Sequence, residues 1–231
     1  MDNSAGPLRP TKFAEHKLVS AILDGTYPPG SKLPAERALA VEMGVTRPTL
    51  RETLKQMETE GWITIAHGKP TLVNDYLKTG GLGILSTLTR HKGYVPNAFV
   101  SHFLELRSAL MPRMALFAVW EERDRLLAYL GEAQGLAETS AAYVAYDWGL
   151  HLILADLSGN PFYRMILNDF GEMYLYMGGM YFEEDAHRRE SSAYYKTLRE
   201  AVEASDCKGA SEVVRQTMEQ ASALWKSMVG T

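Results

Sequence analysis

The sequence predicts a mainly α protein. An N-terminal winged helix-turn-helix with a two-stranded wing spans residues 1–75, a connector spans 76–83, and an all-α bundle of six or seven helices spans 84–231. Three observations predict it. A helix start is written at Thr46-Arg47-Pro48, directly after a short apolar helix and a Gly44-Val45 turn. Two short extended stretches follow, joined by His67-Gly68-Lys69-Pro70. Beyond Gly80, Gly81 and Gly83 no comparable hairpin signal returns, and helical periodicity fills the remainder.

Residues 1–11 are polar with two prolines and are expected to be loosely attached. Lys12 to Asp24 places Phe13, Leu18, Ile22 and Leu23 near one side of a helix, with Val19 and Ala21 flanking. Gly25 ends it, and Tyr27-Pro28-Pro29-Gly30 is a rigid turn, because proline fixes φ and glycine permits reversal. Lys32-Leu33-Pro34 reads as a short strand. A second helix opens at Pro34-Ala35-Glu36-Arg37, takes a small apolar face from Ala38, Leu39, Ala40 and Met43, and stops at Gly44. The third helix runs from near Arg47 to about Glu60. Thr46 caps it by offering a hydroxyl oxygen to a free backbone N–H, and Pro48 falls in the first turn, where its missing N–H costs nothing. Leu50, Leu54 and Met57 form its buried stripe.

Trp62 to Ala66 alternates, with Ile63 and Ile65 on one face and Trp62 and Thr64 on the other. Thr71-Leu72-Val73 answers it across the His67–Pro70 turn, so the pair reads as a β-hairpin. After the connector the helical patterns are Ile84–Arg90, Ala98–Trp120, Asp124–Ala137, Ala141–Leu157, Pro161–Phe182, Ser191–Ala204 and Lys208–Val229. The clearest breaks are Gly93-Tyr94-Val95-Pro96, Ser158-Gly159-Asn160-Pro161 and Ser205-Asp206. A helical unit of this size holds its own core and an internal cavity.

Composition narrows the function. The net charge is −4, and residues 1–76 hold nine of the 24 basic and nine of the 28 acidic residues. A nucleic-acid surface must therefore come from local placement of charge. Cys207 is the single cysteine, which excludes an internal disulfide and fits a reducing cytoplasm. The N-terminus lacks the apolar stretch of a signal peptide, and Met114 to Trp120 is too short to span a bilayer. Ser158-Gly159-Asn160 is not a nucleophile elbow and there is no phosphate-binding glycine loop, so an enzyme is not expected.

Arg47 and Arg51 lie one turn apart, off the apolar stripe, with Thr49 near them at the N-terminal end. Guanidinium groups and hydroxyls there suit phosphates and the acceptor edges of guanine in a major groove. Arginines one turn apart are also common as solvated charges. The cap, the turn, Arg37 and the charged hairpin tip set these two apart. Lys69 and His67 at that tip suit a phosphate or the minor groove.

Pro34-Ala35-Glu36-Arg37, Gly44-Val45-Thr46-Arg47 with Leu50-Arg51-Glu52, and Gly61-Trp62 with His67-Gly68-Lys69-Pro70 together resemble the GntR family of transcriptional regulators. Gly61-Trp62-Ile63-Thr64-Ile65, Gly81-Leu82 with Ile84-Leu85, Ser158-Gly159-Asn160-Pro161 and Trp225 are similar to its fatty-acid-responsive branch, along almost the whole chain. The resemblance implies a homodimeric repressor and activator on a palindromic double-stranded operator, released by long-chain acyl-CoA. It implies major-groove contacts from Arg37, Thr46, Arg47, Thr49 and Arg51, and minor-groove contacts from His67, Gly68 and Lys69. Pro48 departs from that branch, which has threonine there, and removes a hydroxyl.

Arg107, Arg113, Tyr174, Tyr181, Tyr195, Arg215 and Trp225 fall on the helices that would enclose the ligand. Arginines hold coenzyme A phosphates, and aromatics suit adenine or the thioester end; tyrosines at helical spacing are also ordinary core. Thr217-Met218 and Ala221 replace a tyrosine-glycine pair and a serine of the branch, so methionine fills space there. Asp147 and His151, at i and i+4, share a helix face and can ligate a divalent metal. Related regulators complete such a site with two histidines, but Tyr195 and Thr217 stand at those positions here, so no metal or other cofactor is expected. Two further readings stay open: a regulator sensing a small carboxylate, with a metal at Asp147 and His151, and a helical binding or scaffold protein without DNA.

Overall fold

The computed structural model describes residues 9–66, 68–81, 83–91 and 97–229. They form two compact units, divided between Tyr94 and Val95.

In the first unit, α1 (Pro10–Leu23), α2 (Glu36–Met43) and α3 (Arg47–Glu60) pack around a small core. α1 starts two residues before the predicted point, with proline in its first turn. It buries Ala14, Leu18, Val19 and Ile22. Phe13, read as part of the apolar side, is instead exposed beneath the Lys17 ammonium, 4.8 Å from its ring centre. On α3 the predicted stripe of Leu50, Leu54 and Met57 is buried together with Thr53. The Thr53 hydroxyl lies within hydrogen-bond distance of the carbonyls of Thr49 and Thr11, which ties α3 to the first turn of α1.

The wing pairs β1 (Ile63–Thr64) with β2 (Leu72–Val73), antiparallel, with Ile63 opposite Val73. The short stretch read at Lys32–Pro34 joins it through a bridge between Lys32 and Leu72. The predicted alternation fails at two residues: Ile65, placed on the face of buried Ile63, is exposed, and Trp62 is buried. Trp62 is as buried as Ile63, at 0% exposure, because it precedes the strand and turns its ring onto Tyr76, while its indole N–H donates to Glu60. Ile65 donates its backbone N–H to the Glu58 carboxylate at 2.7 Å, pinning the wing to α3.

Within the connector region a short helix, α4 (Tyr76–Thr79), is followed by α5 (Gly83–Arg90). Described contacts tie α5 and the residue after it to the first unit. Thr87 donates to Glu60, and His91 just beyond the helix stacks on His16. Gly61, which ends α3, has φ +92, and a Cβ there would meet the Gly80 Cα at 2.9 Å. No L side chain fits that position.

The second unit is helical throughout its described residues: α6 (Asn97–Gly131), α7 (Ser140–Leu157), α8 (Pro161–Tyr181), α9 (Asp185–Glu203) and α10 (Cys207–Val229). The helices predicted at 98–120 and 124–137 are continuous in α6 but break at Glu122, whose backbone is non-helical. Arg123 explains the break. Its guanidinium reaches across to the last carbonyls of α9, Val202 at 3.0 Å and Glu203 at 2.9 Å, where a cation also complements the helix dipole. The tail of the second predicted helix is a 3-10 turn at Glu132–Gly135. Thr139 and Asn160 cap α7 and α8 with their side chains.

α9 starts six residues before the predicted point. The charged run Asp185–Glu190 has no apolar periodicity to reveal it, but Arg188 folds back onto the carbonyls of Phe182 and Glu183 and onto the Asp185 carboxylate. Met114, Leu126, Leu150, Leu154, Leu198 and Val214 centre the core. Among the described residues no helix is long and apolar enough to cross a membrane.

Candidate functional sites: a basic helix face and an interior cavity

The first candidate surface is the N-terminal end of α3. Thr46 caps the helix, its oxygen accepting from the Thr49 N–H at 3.4 Å, and the two hydroxyls are 2.8 Å apart. Pro48 sits in the first turn, as its lost N–H requires. Arg37, Thr46, Arg47 and Arg51 are exposed and Thr49 is half-buried. Arg51 is 59% exposed in its side chain and takes a 2.7 Å ion pair from Glu36 on α2. That partner was not singled out in the sequence; it faces Arg51 only because α2 crosses α3. An exposed pair of this kind is worth at most about 1 kcal/mol, so Arg51 is free to exchange it for a phosphate.

The wing tip closes through a bond from the Lys69 N–H to the Ala66 carbonyl at 3.0 Å. Gly68 supplies the positive φ, +70, that the turn needs, and both Gly68 and Lys69 are exposed. His67 lies outside the described residues.

The second candidate is a cavity of about 1040 Å³ inside the helical unit, walled by residues of α6 to α10. Of the predicted ligand residues, Arg107, Tyr174, Tyr181 and Trp225 line it. Arg113 does not: it is exposed and lies over Phe117, 4.9 Å from the ring centre. Arg215 does not either, because Glu212 and Glu219, one turn away on each side, hold its guanidinium at the surface. Thr217, Met218 and Ala221 also reach the wall.

Tyr195 is buried behind the wall, donating to Asp147 at 2.7 Å, while Tyr174 donates to the other oxygen of the same carboxylate. Burial, then the negative charge of Asp147, raises the Tyr174 and Tyr195 phenols well above their usual range. Both therefore stay protonated and keep donating. Tyr181, stacked on His187 at 4.1 Å, is pushed up to about 12 by burial and by Glu190.

His151 is 1% exposed, below Tyr174 and Trp148. Its Nδ1 is 2.7 Å from the Asp147 backbone carbonyl, a bond that only a protonated Nδ1 can make, and 3.7 Å from the carboxylate. Burial lowers its basicity despite the pull of Asp147. Its Nε2 has no partner among the described residues. The Asp147–His151 pair is thus built into a hydrogen-bonded knot with two tyrosines. No group of three side chains suited to hold a metal occurs among the described residues.

Of the other buried side-chain atoms without partners, two belong to the cavity wall: Arg107 Nε and Trp225 Nε1. Arg107 also faces the Tyr174 ring at 5.9 Å. The cavity therefore offers hydrogen-bond donors, one of them charged, in a wall that is mostly apolar.

Comparison with known proteins covers both units. Residues 10–73 match the bacterial regulatory proteins of the gntR family, and residues 74–231 match the FadR C-terminal domain. The chain is 35% identical over 222 residues to the fatty acid metabolism regulator protein of Yersinia pestis (strain Pestoides F), covering 96% of this chain and 93% of the relative. The protein of the same name from Yersinia pseudotuberculosis serotype O:1b matches to the same extent. Among solved structures, that of Lar, which controls the Listeria monocytogenes agr system, superposes with a TM-score of 0.67 at 16% identity, over 96% of this chain and 99% of that one. That likeness concerns the fold.

Proposed function

The chain belongs to the GntR family of bacterial regulatory proteins and carries a FadR C-terminal domain, and from that premise we propose a ligand-released, homodimeric regulator that grips an operator through α3 and its wing. It is a DNA-binding transcription regulator of fatty-acid metabolism, as the full-length similarity to curated regulators of that name supports. Arg37, Thr46, Arg47, Thr49 and Arg51 enter the major groove and Gly68 and Lys69, with His67, the minor groove. Exposure of Arg37, Thr46, Arg47, Arg51, Gly68 and Lys69, against a firmly buried opposite face of α3, is what supports the assignment. Each neutralised phosphate releases counterions and makes binding salt-sensitive. Two such units fit an inverted repeat whose half-sites lie about one helical turn apart.

The cavity binds a long-chain acyl effector, with long-chain acyl-CoA the form that the resemblance implies; the name of the relatives speaks of fatty acid metabolism. Its occupant shifts the population toward a state that no longer fits both half-sites. The protein acts in the cytoplasm, as a regulator and not as an enzyme. The single observation that carries this reading is the coexistence, in one family-matched chain, of an exposed helix end bearing Arg47 and Arg51 and a cavity of about 1040 Å³ with unpartnered donors.

The experiment is selection of binding sites from a randomised duplex pool, followed by gel mobility of the selected site with oleoyl-CoA and with sodium oleate. An inverted repeat should emerge, and an acyl compound should dissociate the complex. Failure to enrich any site defeats the DNA reading. A complex that survives saturating amounts of both compounds defeats the effector reading alone.

A further inference from the structure

The Arg51–Glu36 pair bears on how α3 presents its charge. Glu36 is the first residue of α2, where a carboxylate complements the helix dipole. Its side chain is 38% exposed, and its Oε2 accepts from the Arg51 Nε at 2.7 Å across the meeting of α2 and α3. The bond occupies one edge of the guanidinium. Nη1 and Nη2, at the far end, donate to no other group among the described residues. Arg47, one turn earlier, has no carboxylate partner among them.

A guanidinium is a planar fork of five N–H donors. The parallel N–H groups of its Nη end match two oxygens of a phosphate, or O6 and N7 of a guanine. Arg51 can therefore meet DNA through Nη1 and Nη2 while Nε stays on Glu36. Giving up Glu36 costs little, because the pair is exposed. Keeping it costs less, because a side chain already held in one orientation has less freedom to lose on binding. The pair thus acts through geometry, and its small worth in the free protein is no measure of its effect on the duplex.

We propose that Glu36 is a positioning residue for DNA binding: it keeps the Arg51 Nε in the complex and aims Nη1 and Nη2 at one group of the duplex that offers two acceptors, a phosphate or a guanine edge. The inference rests on the placement of Arg51 in the DNA surface given above. It adds a residue that acts through Arg51 and touches no DNA itself.

Gel mobility of the full-length chain on the duplex enriched by site selection, at several salt concentrations, tests it. Glu36→Ala should weaken binding about two- to twelvefold, the cost of ordering one long side chain on association. Glu36→Asp, which keeps the charge and loses the reach, should weaken it similarly. Glu36→Gln, which keeps an acceptor oxygen at the same reach and loses the charge, should bind nearly as the parent does. A carboxylate that merely repels phosphates gives the opposite order: Glu36→Ala and Glu36→Gln tighten binding and Glu36→Asp leaves it unchanged. In an Arg51→Ala background Glu36→Ala should add no further loss, whereas in an Arg47→Ala background it should cost its full amount. A phosphate partner shows as a salt slope lowered by about one in Glu36→Ala. A guanine partner shows as a lost preference at one base pair when site selection is repeated with that variant.

Three results would overturn the proposal: Glu36→Ala binding as tightly as the parent or tighter, a loss that persists undiminished in the Arg51→Ala background, or a loss with neither salt slope nor base preference altered. If Arg51→Ala itself leaves binding unchanged, the DNA contact assigned to Arg51 falls and the proposal with it. If Arg51→Ala weakens binding and Glu36→Ala does not, the contact stands and the proposal alone falls. Should Glu36→Ala melt within the assay range, the contrast between Glu36→Asp and Glu36→Gln decides.

Discussion

Replacing Tyr195 with phenylalanine removes one oxygen and keeps the ring, which stays edge-on to Tyr146 with ring centres 4.8 Å apart. What is lost is a 2.7 Å bond to a carboxylate in a buried site. Hydrogen bonds to charged groups contribute about 1.5–3 kcal/mol, and the carboxylate left behind loses one of its two hydroxyl donors. For a domain of this size each kcal/mol moves the midpoint by about 2–4 °C, so the melting temperature should fall by roughly 3–12 °C. Thermal unfolding followed by circular dichroism measures this directly. Tyr174→Phe should act similarly, because its hydroxyl meets the other oxygen of Asp147. Since both donors share one carboxylate, the double variant should depart from additivity by about 0.5–3 kcal/mol. A Tyr195→Phe midpoint within about 1 °C of the parent, or strict additivity with Tyr174→Phe, would refute the view that Asp147 depends on these two hydroxyls.

Three other outcomes follow from the same geometry. Arg47→Ala and Arg51→Ala should each weaken operator binding by about 1–3 kcal/mol and lower the salt slope by about one, while Arg215→Ala, outside the DNA-binding unit, should do neither; gel mobility at several salt concentrations reads all three. Leu50→Ala, at a fully buried position of α3, should cost about 2–5 kcal/mol of stability in urea unfolding, and a loss below about 1 kcal/mol would contradict its place in the core. His151 is held below its ordinary 6.5 chiefly by burial, so the stability it contributes is complete above pH 6.5 and declines as pH falls from there toward the lowered folded-state value. Urea unfolding at pH 5.5, 6.5 and 7.5 should show a slope of up to about 1.4 kcal/mol per pH unit that His151→Phe flattens; equal slopes in both proteins would count against it.

How much of this was legible depended on how far apart the interacting residues lie in sequence. The start of α3 was readable because cap, first-turn proline and apolar stripe sit within a dozen residues and act on one another locally. The wing was readable for the same reason, apart from Ile65, which is exposed, and Trp62, whose burial depends on Tyr76 beyond the hairpin. The cavity was not. Arg107, Arg113 and Arg215 carry the same chemistry in sequence, and only tertiary neighbours decide which of them faces inward. Asp147 and His151 were visible as a pair one turn apart, but Tyr174 and Tyr195, which complete the knot, arrive from two later helices. Glu184 and Glu190 gave no signal, because exposed carboxylates near a helix start are unremarkable until the fold brings them to a rim.

The near-contact of Gly61 with Gly80 constrains how this chain can change. A side chain at Gly61 would press on the Gly80 Cα and the Thr79 carbonyl, and Gly61 is further confined by its positive φ. Mutational libraries that vary either codon should return glycine alone at 61, and at 80 as well, where an added methyl would lie 2.5 Å from the Tyr76 carbonyl oxygen and against Ile84. Grafting of this winged module onto another sensor should therefore cut after residue 91, since a junction placed at the customary strand end would discard half of the joint.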